Sequence, residues 1–246
     1  MLMTDAQLTE YQEQGFVVLD HVFTAAEMAE LAVLIEGHHK AHEERLQKSG
    51  TEGISRAGEI AFTSHLAEQN PELLKFVRRP EFVAISTKVL GPNVDLYWNQ
   101  SVYKEGHGDA EFPWHQDDGY TPVDPSPYLT LWLAVSDATL ENGCLSVLPR
   151  SHERGLVPHR RTAIGLACHS LTDPDQGVPV PIPAGTMIAM QSLTFHKSGV
   201  NHSDAMRKAY VIQYSVAGLR DARTGEVLPD KRPVARQGLS IEQGYL

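Results

Sequence analysis

Hydrophobic positions in the first third of the chain repeat at helical intervals. Met28, Leu31 and Ile35 are three and four residues apart, so they share one face of a predicted helix. Thr24 and Glu27 have the spacing of a capping box just before this helix. The N-terminal part is therefore predicted to be mainly helical.

The pattern changes near residue 93. Short runs rich in β-branched and aromatic residues follow one another, separated by turn residues, and Asn142-Gly143 predicts a hairpin. Runs at this spacing favour a mainly β (α+β) fold: a cupin-like jelly roll, or double-stranded β-helix, with N-terminal helices buttressing one sheet. Without a repeat or linker, we expect a single domain over 1–246, with a helical part at about 1–92, a jelly-roll core at about 93–220 and a tail at about 221–246.

Two long segments fit neither pattern. Residues 48–69 lie between helical regions, and residues 153–181 lie between strand-like runs. Such segments are often lids or binding loops, and a disordered surface excursion is an equal alternative. An anionic small molecule could contact several of their side chains, although exposed loop charges are usually solvated: Arg56, Glu59, Phe62, His65, His159, Arg160 and Arg161.

Composition narrows the class of protein. A length of 246 residues suits one β sandwich or barrel, and a net charge of −10 disfavours nucleic acid and acidic membrane surfaces as partners. Cys144 and Cys168 form no C-x-x-C pattern, which argues against a disulfide scaffold or a cysteine zinc site. The N-terminus lacks the basic start and long apolar run of a secretion signal, and the apolar runs are too short to cross a bilayer. A reducing cytoplasm is the predicted location.

The run "WHQDDGY" carries the first candidate chemistry. Residues i and i+2 of a strand share a face, so His115 and Asp117 would reach one cation together. The pair alone is common by chance, and a solvated turn is the alternative. His196, at the end of an apolar run, is the preferred third ligand, and His202 competes with it from a predicted turn. Two histidines and one carboxylate on one face suit Fe(II), whereas zinc prefers a tighter tetrahedral set.

A buried cation is the second candidate feature. Arg207 follows His196 by eleven residues and opens the alternating run "KAYVIQYS". An arginine at the start of a core strand needs an anion, and its planar guanidinium suits a carboxylate. Taken alone, the residue fits a surface salt bridge at a strand end better.

Together these motifs resemble the phytanoyl-CoA dioxygenase family of Fe(II)/2-oxoglutarate-dependent oxygenases, which includes the ectoine hydroxylases. The matching pieces are "WHQDDGY", "LWLAVSDATLENGCLSVLPRSH" and "FHKSGVNHSDAMRKAYVIQYS", in the order that the family has them. The resemblance covers most of residues 4–216. It is more specific than any one motif, and it favours the metal site over the solvated turn.

The resemblance implies roles for individual residues. His115, Asp117 and His196 would bind iron as the catalytic triad. Arg207 would bind the distal carboxylate of 2-oxoglutarate with help from Ser198. Two more residues would line the same pocket, although the second could simply be core: Gln100 and Trp132.

Other residues near these motifs leave alternatives open. Gln116 matches a family position near the cosubstrate, or else faces away from the metal. Asp118 could accept a bond from substrate, but a solvated carboxylate is the preferred interpretation. Arg150 replaces a glycine common in the family, so this turn could differ or contact substrate. His152 is expected to be hydrogen-bonded within that turn.

The implied cofactors are Fe(II), 2-oxoglutarate as cosubstrate, and O2. By resemblance, an unactivated C–H bond of a small-molecule metabolite is hydroxylated while succinate and CO2 are released. Related halogenases lack the carboxylate that Asp117 supplies, so hydroxylation is favoured over halogenation, with desaturation and epoxidation left open. The rivals are a cupin-like metal enzyme without 2-oxoglutarate and a non-catalytic binding protein. Beyond a small-molecule substrate, no nucleic-acid or membrane partner is expected, and the chain is predicted to be a monomer or homodimer.

Overall fold

The helix predicted after Thr24 is present in the computed structural model. The structure describes residues 3–168, 176–229 and 231–241. The side chains of Thr4 and Thr24 cap the first two helices, each in a complete capping box, and Pro80 opens the last. The helices among the described residues are α1 (Asp5–Gln14), α2 (Ala25–Ser49), α3 (Leu66–Gln69), α4 (Pro71–Phe76) and α5 (Pro80–Leu90).

The strands form two antiparallel sheets and two separate strand pairs. Their bounds are β1 (Phe16–Leu19), β2 (Thr51–Glu52), β3 (Ser55–Arg56), β4 (Ile60–Ser64), β5 (Val94–Lys104), β6 (Phe112–His115), β7 (Val123–Asp124), β8 (Leu129–Ala134), β9 (Leu145–Val147), β10 (His159–Thr162), β11 (Gly165–Cys168), β12 (Val178–Val180), β13 (Met187–Gln191), β14 (His196–Ser198), β15 (Arg207–Val216), β16 (Arg220–Asp221), β17 (Arg232–Arg236) and β18 (Leu239–Ser240). The large sheet has the order β1-β13-β8-β15-β5-β4-β3-β2, with β17 beside β5 and β18 beside β17. The small sheet has the order β12-β9-β14-β6, and β10–β11 and β16–β7 pair separately.

The two faces of the large sheet pack against different parts of the molecule. Along β8 and β15, alternate residues such as Leu131 and Ile212 pack against the helices, where they meet Ile35 of α2. The residues between them, such as Trp132 and Val211, face the small sheet and form a second core. Because side chains alternate along a strand, one face is buttressed by helices and the other closes a cavity. The predicted fold class is confirmed.

The ends of the chain also contribute strands. From the part predicted to be helical, β1 pairs with β13 and β4 pairs with β5. From the predicted tail, β17 also pairs with β5. The division into one domain with three parts stays a prediction. Across the described portions of the chain, no helix combines the length and apolar character needed to cross a membrane.

The two segments without a clear pattern have regular structure where they are described. Residues 51–64 form β2, β3 and β4 and extend the large sheet. Residues 159–168 form the β10–β11 hairpin, while residues 169–175 lie outside the described residues. A lid role for either segment stays a prediction.

The hairpin prediction at Asn142-Gly143 is wrong. The turn joins β8 of the large sheet to β9 of the small sheet, and these two strands pair with other partners. The turn itself is well formed, since Thr139 N donates to Asn142 Oδ1 at 2.7 Å and Cys144 N donates to Thr139 O at 2.9 Å. A local turn signal predicts the reversal, but it does not determine whether the next strand joins the same sheet.

Two buried tyrosines test the packing between sheet and helices. Tyr214 Oη donates to Val77 O at 2.6 Å, so Tyr214→Phe leaves a buried carbonyl unpaired and should lower the free energy of unfolding by about 1–2 kcal/mol. The matched variant is Tyr103→Phe, because Tyr103 Oη is buried without a partner among the described residues. Its removal should leave stability unchanged or raise it by up to about 1 kcal/mol. Urea unfolding measures both, and the reverse order would contradict this interpretation.

Candidate active site

The three predicted metal ligands come together between two strands of the small sheet and a turn. His115 ends β6, His196 begins β14, and the two residues are paired in register. Asp117 begins a 3-10 turn over Asp117–Gly119, so the expected strand alternation between His115 and Asp117 is wrong. His196 likewise does not end an apolar strand, because β13 stops at Gln191 and the chain then crosses to the small sheet.

The ligand atoms point at one another. Asp117 Oδ1 lies 3.7 Å from Nε2 of His115 and 3.7 Å from Nε2 of His196. The ligand atoms of all three side chains lie within 4.8 Å of each other. The Nδ1 atoms of His115 and His196 donate to the carbonyls of Pro113 (2.9 Å) and Thr194 (3.0 Å). Each imidazole therefore presents its Nε2 lone pair to the centre, as metal-binding histidines require.

Burial keeps one ligand in its metal-binding form. Desolvation of His115, and secondly the neighbouring His196, hold the pKa of His115 well below its ordinary value. A histidine must be neutral to bind a metal, so this site does not have to lose a proton from His115 near neutral pH.

Two residues that sequence reasoning missed orient Asp117. Thr130 Oγ1 donates to Asp117 Oδ2 at 2.6 Å, and Gln213 Nε2 donates to the same oxygen at 3.0 Å. The other oxygen, Oδ1, is left to face the histidines. A signal existed in the sequence, because Gln213 lies six residues after Arg207 and Thr130 two before Trp132, each at a same-face spacing.

Arg207 is the most unusual group in the cavity. The triad and Arg207 line a cavity of about 640 Å³, and Arg207 is only 1% exposed. Its Nη1 donates to Gly143 O at 3.0 Å, while Nε and Nη2 are buried without a partner among the described residues. The guanidinium lies 5.2 Å from the ring centre of Trp132, and burial lowers the pKa of Arg207 to about 10. A buried cation with two free donors is costly unless an anion joins it.

The remaining predicted pocket residues line the same cavity. Ser198 is buried two residues after His196. Gln100 Oε1 accepts hydrogen bonds from Ser64 Oγ (3.2 Å) and Trp98 Nε1 (3.1 Å), which holds its side chain at the wall. Trp132 lines the cavity and also belongs to the core between the sheets, so both interpretations of this residue hold.

A lysine absent from the sequence predictions supports this end of the cavity. Lys104 is fully buried and pairs in register with Arg207 on the neighbouring strand. Its Nζ donates to Ala110 O (2.8 Å), Ser198 O (3.1 Å) and Gly199 O. These bonds tie the chain beyond β14 to β5. The sequence carried no signal for this role, since its partners are backbone oxygens distant along the chain.

Among the described residues that line the cavity, neither Gln116 nor Asp118 is present. The amide of Gln116 donates to Gly155 O and Leu193 O, each at 2.8 Å, so its alternative interpretation is the better one. Asp118 is not solvated as expected: it is 1% exposed, its Oδ2 accepts a hydrogen bond from Ser126, and burial raises its pKa to about 6. The 3-10 turn, rather than a strand, directs this carboxyl inward.

The other three residues considered also lie outside the cavity lining. Arg150 keeps a left-handed backbone, with φ +62°, and its guanidinium pairs with Glu153 at 2.6 Å on the surface. His152 bonds through Nε2 to Gln12 O of α1 at 3.0 Å, so a bond within its own turn is the wrong prediction. His202 is exposed and takes no part in the triad.

The sequence between α1 and β15 matches a known protein family. The family model described as phytanoyl-CoA dioxygenase (PhyH) matches residues 11–209. The chain belongs to the phytanoyl-CoA dioxygenase family. The predicted family is thereby confirmed.

Relatives and solved structures agree with this assignment. A probable alpha-ketoglutarate-dependent hypophosphite dioxygenase of Stutzerimonas stutzeri is 28% identical over 236 residues, which cover 86% of this chain and 78% of that protein. The non-heme alpha ketoglutarate dependent carbocyclase SnoK from nogalamycin biosynthesis superposes with TM-score 0.75 at 24% identity, covering 95% of this chain and 97% of that one. EvdO2 from Micromonospora carbonacea var. aurantiaca, complexed with 2-oxoglutarate, gives 0.72 at 23%, covering 92% and 95%. The structures establish a shared fold, and the predicted enzyme class, a dioxygenase, is confirmed by family and relatives.

The support of Asp117 by Thr130 gives a prediction about metal affinity. Thr130→Val removes the hydroxyl that fixes Asp117 Oδ2, so the dissociation constant for Fe(II) or Co(II) should rise by at least about 10-fold. Anaerobic calorimetric titration of the metal measures it. Thr130→Ser keeps the hydroxyl and should bind metal like the wild type. Equal affinities for the valine and serine variants would show that this hydrogen bond does not support the metal site.

The buried Asp118 gives a prediction about pH. The pKa of Asp118 is about 6 in the folded chain and 3.8 ordinarily. As the pH rises from about 4 to about 6, Asp118 therefore ionises in the unfolded chain before it ionises in the folded chain, and it lowers the free energy of unfolding. In metal-free protein, the unfolding free energy of Asp118→Asn minus that of the wild type should grow by up to about 3 kcal/mol from pH 4 to pH 7. Urea unfolding at both pH values measures the difference. A constant difference would mean that Asp118 ionises normally.

Proposed function

We propose that this chain is an Fe(II)- and 2-oxoglutarate-dependent dioxygenase that hydroxylates an unactivated C–H bond of a small-molecule metabolite, releasing succinate and CO2. One observation carries the cosubstrate assignment. The buried guanidinium of Arg207, two of whose nitrogen atoms have no partner in the described ranges, opens into the same cavity as the triad. A dicarboxylate can meet both groups at once.

His115, Asp117 and His196 are the proposed metal ligands. Two imidazoles and one carboxylate oxygen suit ferrous iron, and a three-ligand set leaves positions open for other molecules. Bound iron with 2-oxoglutarate and O2 supplies the oxidising power for hydroxylation. The protein supplies the ligand geometry, which the carbonyls of Pro113 and Thr194 fix from outside.

Arg207 and Ser198 are the proposed partners of the distal carboxylate. Nε and Nη2 of Arg207, which have no partner within the described part of the chain, can bind a carboxylate through two parallel hydrogen bonds. Ser198, on β14 of the small sheet, lines the same cavity and adds a hydroxyl donor. Trp132 packs against the guanidinium and restricts its orientation, so that the carboxylate meets a preorganised group.

Apolar and aromatic side chains complete the cavity wall. They include Phe112, Leu145, Met190 and Val211, and they limit the access of water to the metal side. Tyr120 and Tyr128 line the cavity beside Asp117. Retention of Asp117 supports hydroxylation over halogenation, in keeping with the resemblance.

Anaerobic titration with Fe(II) and 2-oxoglutarate tests this proposal. The wild type should develop the weak visible charge-transfer band of the metal–cosubstrate chelate. Arg207→Gln should raise the dissociation constant of 2-oxoglutarate by at least about 30-fold, because it removes one partner of a buried charge pair. Titration of the band in each protein measures the constant.

The control is Arg150→Gln, which removes a surface arginine paired with Glu153 and should leave the constant unchanged. No band in the wild type would sink the cosubstrate proposal and favour a metal enzyme without 2-oxoglutarate. A band that survives in His196→Ala would refute this residue as a ligand.

A further inference from the structure

A second cavity, also of about 640 Å³, lies beside the metal cavity. The β2–β3 turn, the metal-binding turn and the β10–β11 hairpin enclose it. Its apolar lining includes Ile54, Leu156 and Leu166. Its charged lining is entirely basic within the part of the chain that the structure describes, and consists of Arg56, Arg161 and Arg223, with His159 beside them.

Two of these arginines, unlike the third, have no acidic side chain beside them in the part of the chain that the structure describes. Arg223 is held by Asp221 through two bonds of 2.7 and 3.1 Å. Arg56 donates from Nη1 only to the carbonyls of Gly53 (3.2 Å) and Ser55 (2.6 Å). Among the described residues, neither Arg56 nor Arg161 has a carboxylate within ion-pair distance. Two guanidinium groups that have no acidic partner in the described ranges lie on one cavity, in a chain of net charge −10, and make a local site for an anion.

The two cavities are neighbours across one aromatic ring. Tyr120 lines both cavities, as do Gly53 and Ile54. The ring centre of Tyr120 lies 6.0 Å from that of His115. Its hydroxyl accepts a hydrogen bond from Leu166 N at 3.2 Å, on the hairpin side. A molecule held at the arginines can therefore extend past Tyr120 to the metal side.

The position of Arg161 relative to the metal ligands is fixed by close packing. His159 and Arg161 line the cavity, whereas Arg160 between them lines neither cavity, as expected for alternation along β10. The ring of His159 lies against the metal-binding turn, since a Cβ at Gly119 would be 2.7 Å from it. His159 Nε2 also accepts from Gln116 N at 3.1 Å. The hairpin that carries Arg161 is thus held directly on the chain between His115 and Asp117.

We propose that Arg56 and Arg161 bind an oxyanion group of the substrate, so that the substrate is a small organic anion. The inference rests on the proposed function, because it assumes that the neighbouring cavity is where oxidation occurs. The apolar lining accepts the carbon frame, and the guanidinium groups accept a phosphate, phosphonate or carboxylate group. This anion is distinct from 2-oxoglutarate, whose proposed partner is Arg207 in the first cavity.

Calorimetric titration of the full chain with phenyl phosphate, benzoate and phenol at low salt tests the site. Phenyl phosphate and benzoate share the oxyanion chemistry, and the tighter of the two identifies the preferred group. Phenol lacks the charge and should bind at least about 10-fold more weakly than the tighter anion. Arg161→Gln and Arg56→Gln should each weaken that anion by about 10-fold or more. Arg160→Gln, one residue away on the opposite face, should leave its affinity within about twofold of the wild type.

Repeating the anion titration with and without saturating 2-oxoglutarate distinguishes binding in the second cavity from binding in the first. Anion binding that persists with 2-oxoglutarate and depends on Arg161 supports the site. Equal losses in Arg160→Gln and Arg161→Gln would show general attraction to basic surface and overturn it, as would loss of all binding when 2-oxoglutarate is present. The Fe(II)–2-oxoglutarate band is scored separately. If the metal-free chain binds the anion in an Arg161-dependent way but no band develops when Fe(II) and 2-oxoglutarate are added, the proposed function is refuted while the anion site stands.

Discussion

The pairing of β6 with β14 is the constraint on which the site depends. It sets His115 opposite His196 in register, so that two imidazoles from distant parts of the chain face one point. A shift of one residue in this pairing would turn one imidazole to the other face of the sheet. Asp117, the third proposed ligand, does not lie on a strand. The 3-10 turn after β6 places its Oδ1 3.7 Å from Nε2 of each histidine. Two backbone carbonyls then orient the rings.

The large sheet supplies the buried Arg207 and the two side chains that orient Asp117. Alternation along β15 sends Tyr210 and Tyr214 toward the helices, and Arg207 and Gln213 toward the cavity. The helical face is satisfied by apolar packing and by hydroxyl bonds to backbone or side-chain oxygens. On the cavity face Gln213 is satisfied by Asp117, whereas Nε and Nη2 of Arg207 have no hydrogen-bond partner among the described residues. Because burial without a partner is costly, the fold itself points to an anion at that end of the cavity.

Sequence patterns predicted the residues that share a face, and they were weakest where the chain passes from one sheet to the other. The alternating run from Arg207 predicted a strand beginning at that residue, and the structure has β15 there. The same reasoning failed at Asp117, where a turn interrupts the strand, and at Asn142-Gly143, where the chain changes sheet. Long-range contacts decide these points, as they decide the burial of Asp118. The positions of Thr130 and Gln213 were within reach of the period-2 pattern, whereas the carbonyl partners of Lys104 were not.

Three separate parts of the fold supply the proposed metal ligands, the proposed cosubstrate partner and the second cavity, so substrate specificity can change without a change in the triad. The proposed metal ligands come from the small sheet and its turn, and the proposed cosubstrate partner comes from β15. The second cavity is built by strands that residues 51–64 and 159–168 add around this core. Changes in these added strands can alter what binds there without altering the triad, which is how one fold supports different substrates. His159 limits that freedom, since its contact with the metal-binding turn makes the added hairpin part of what holds Asp117 in place.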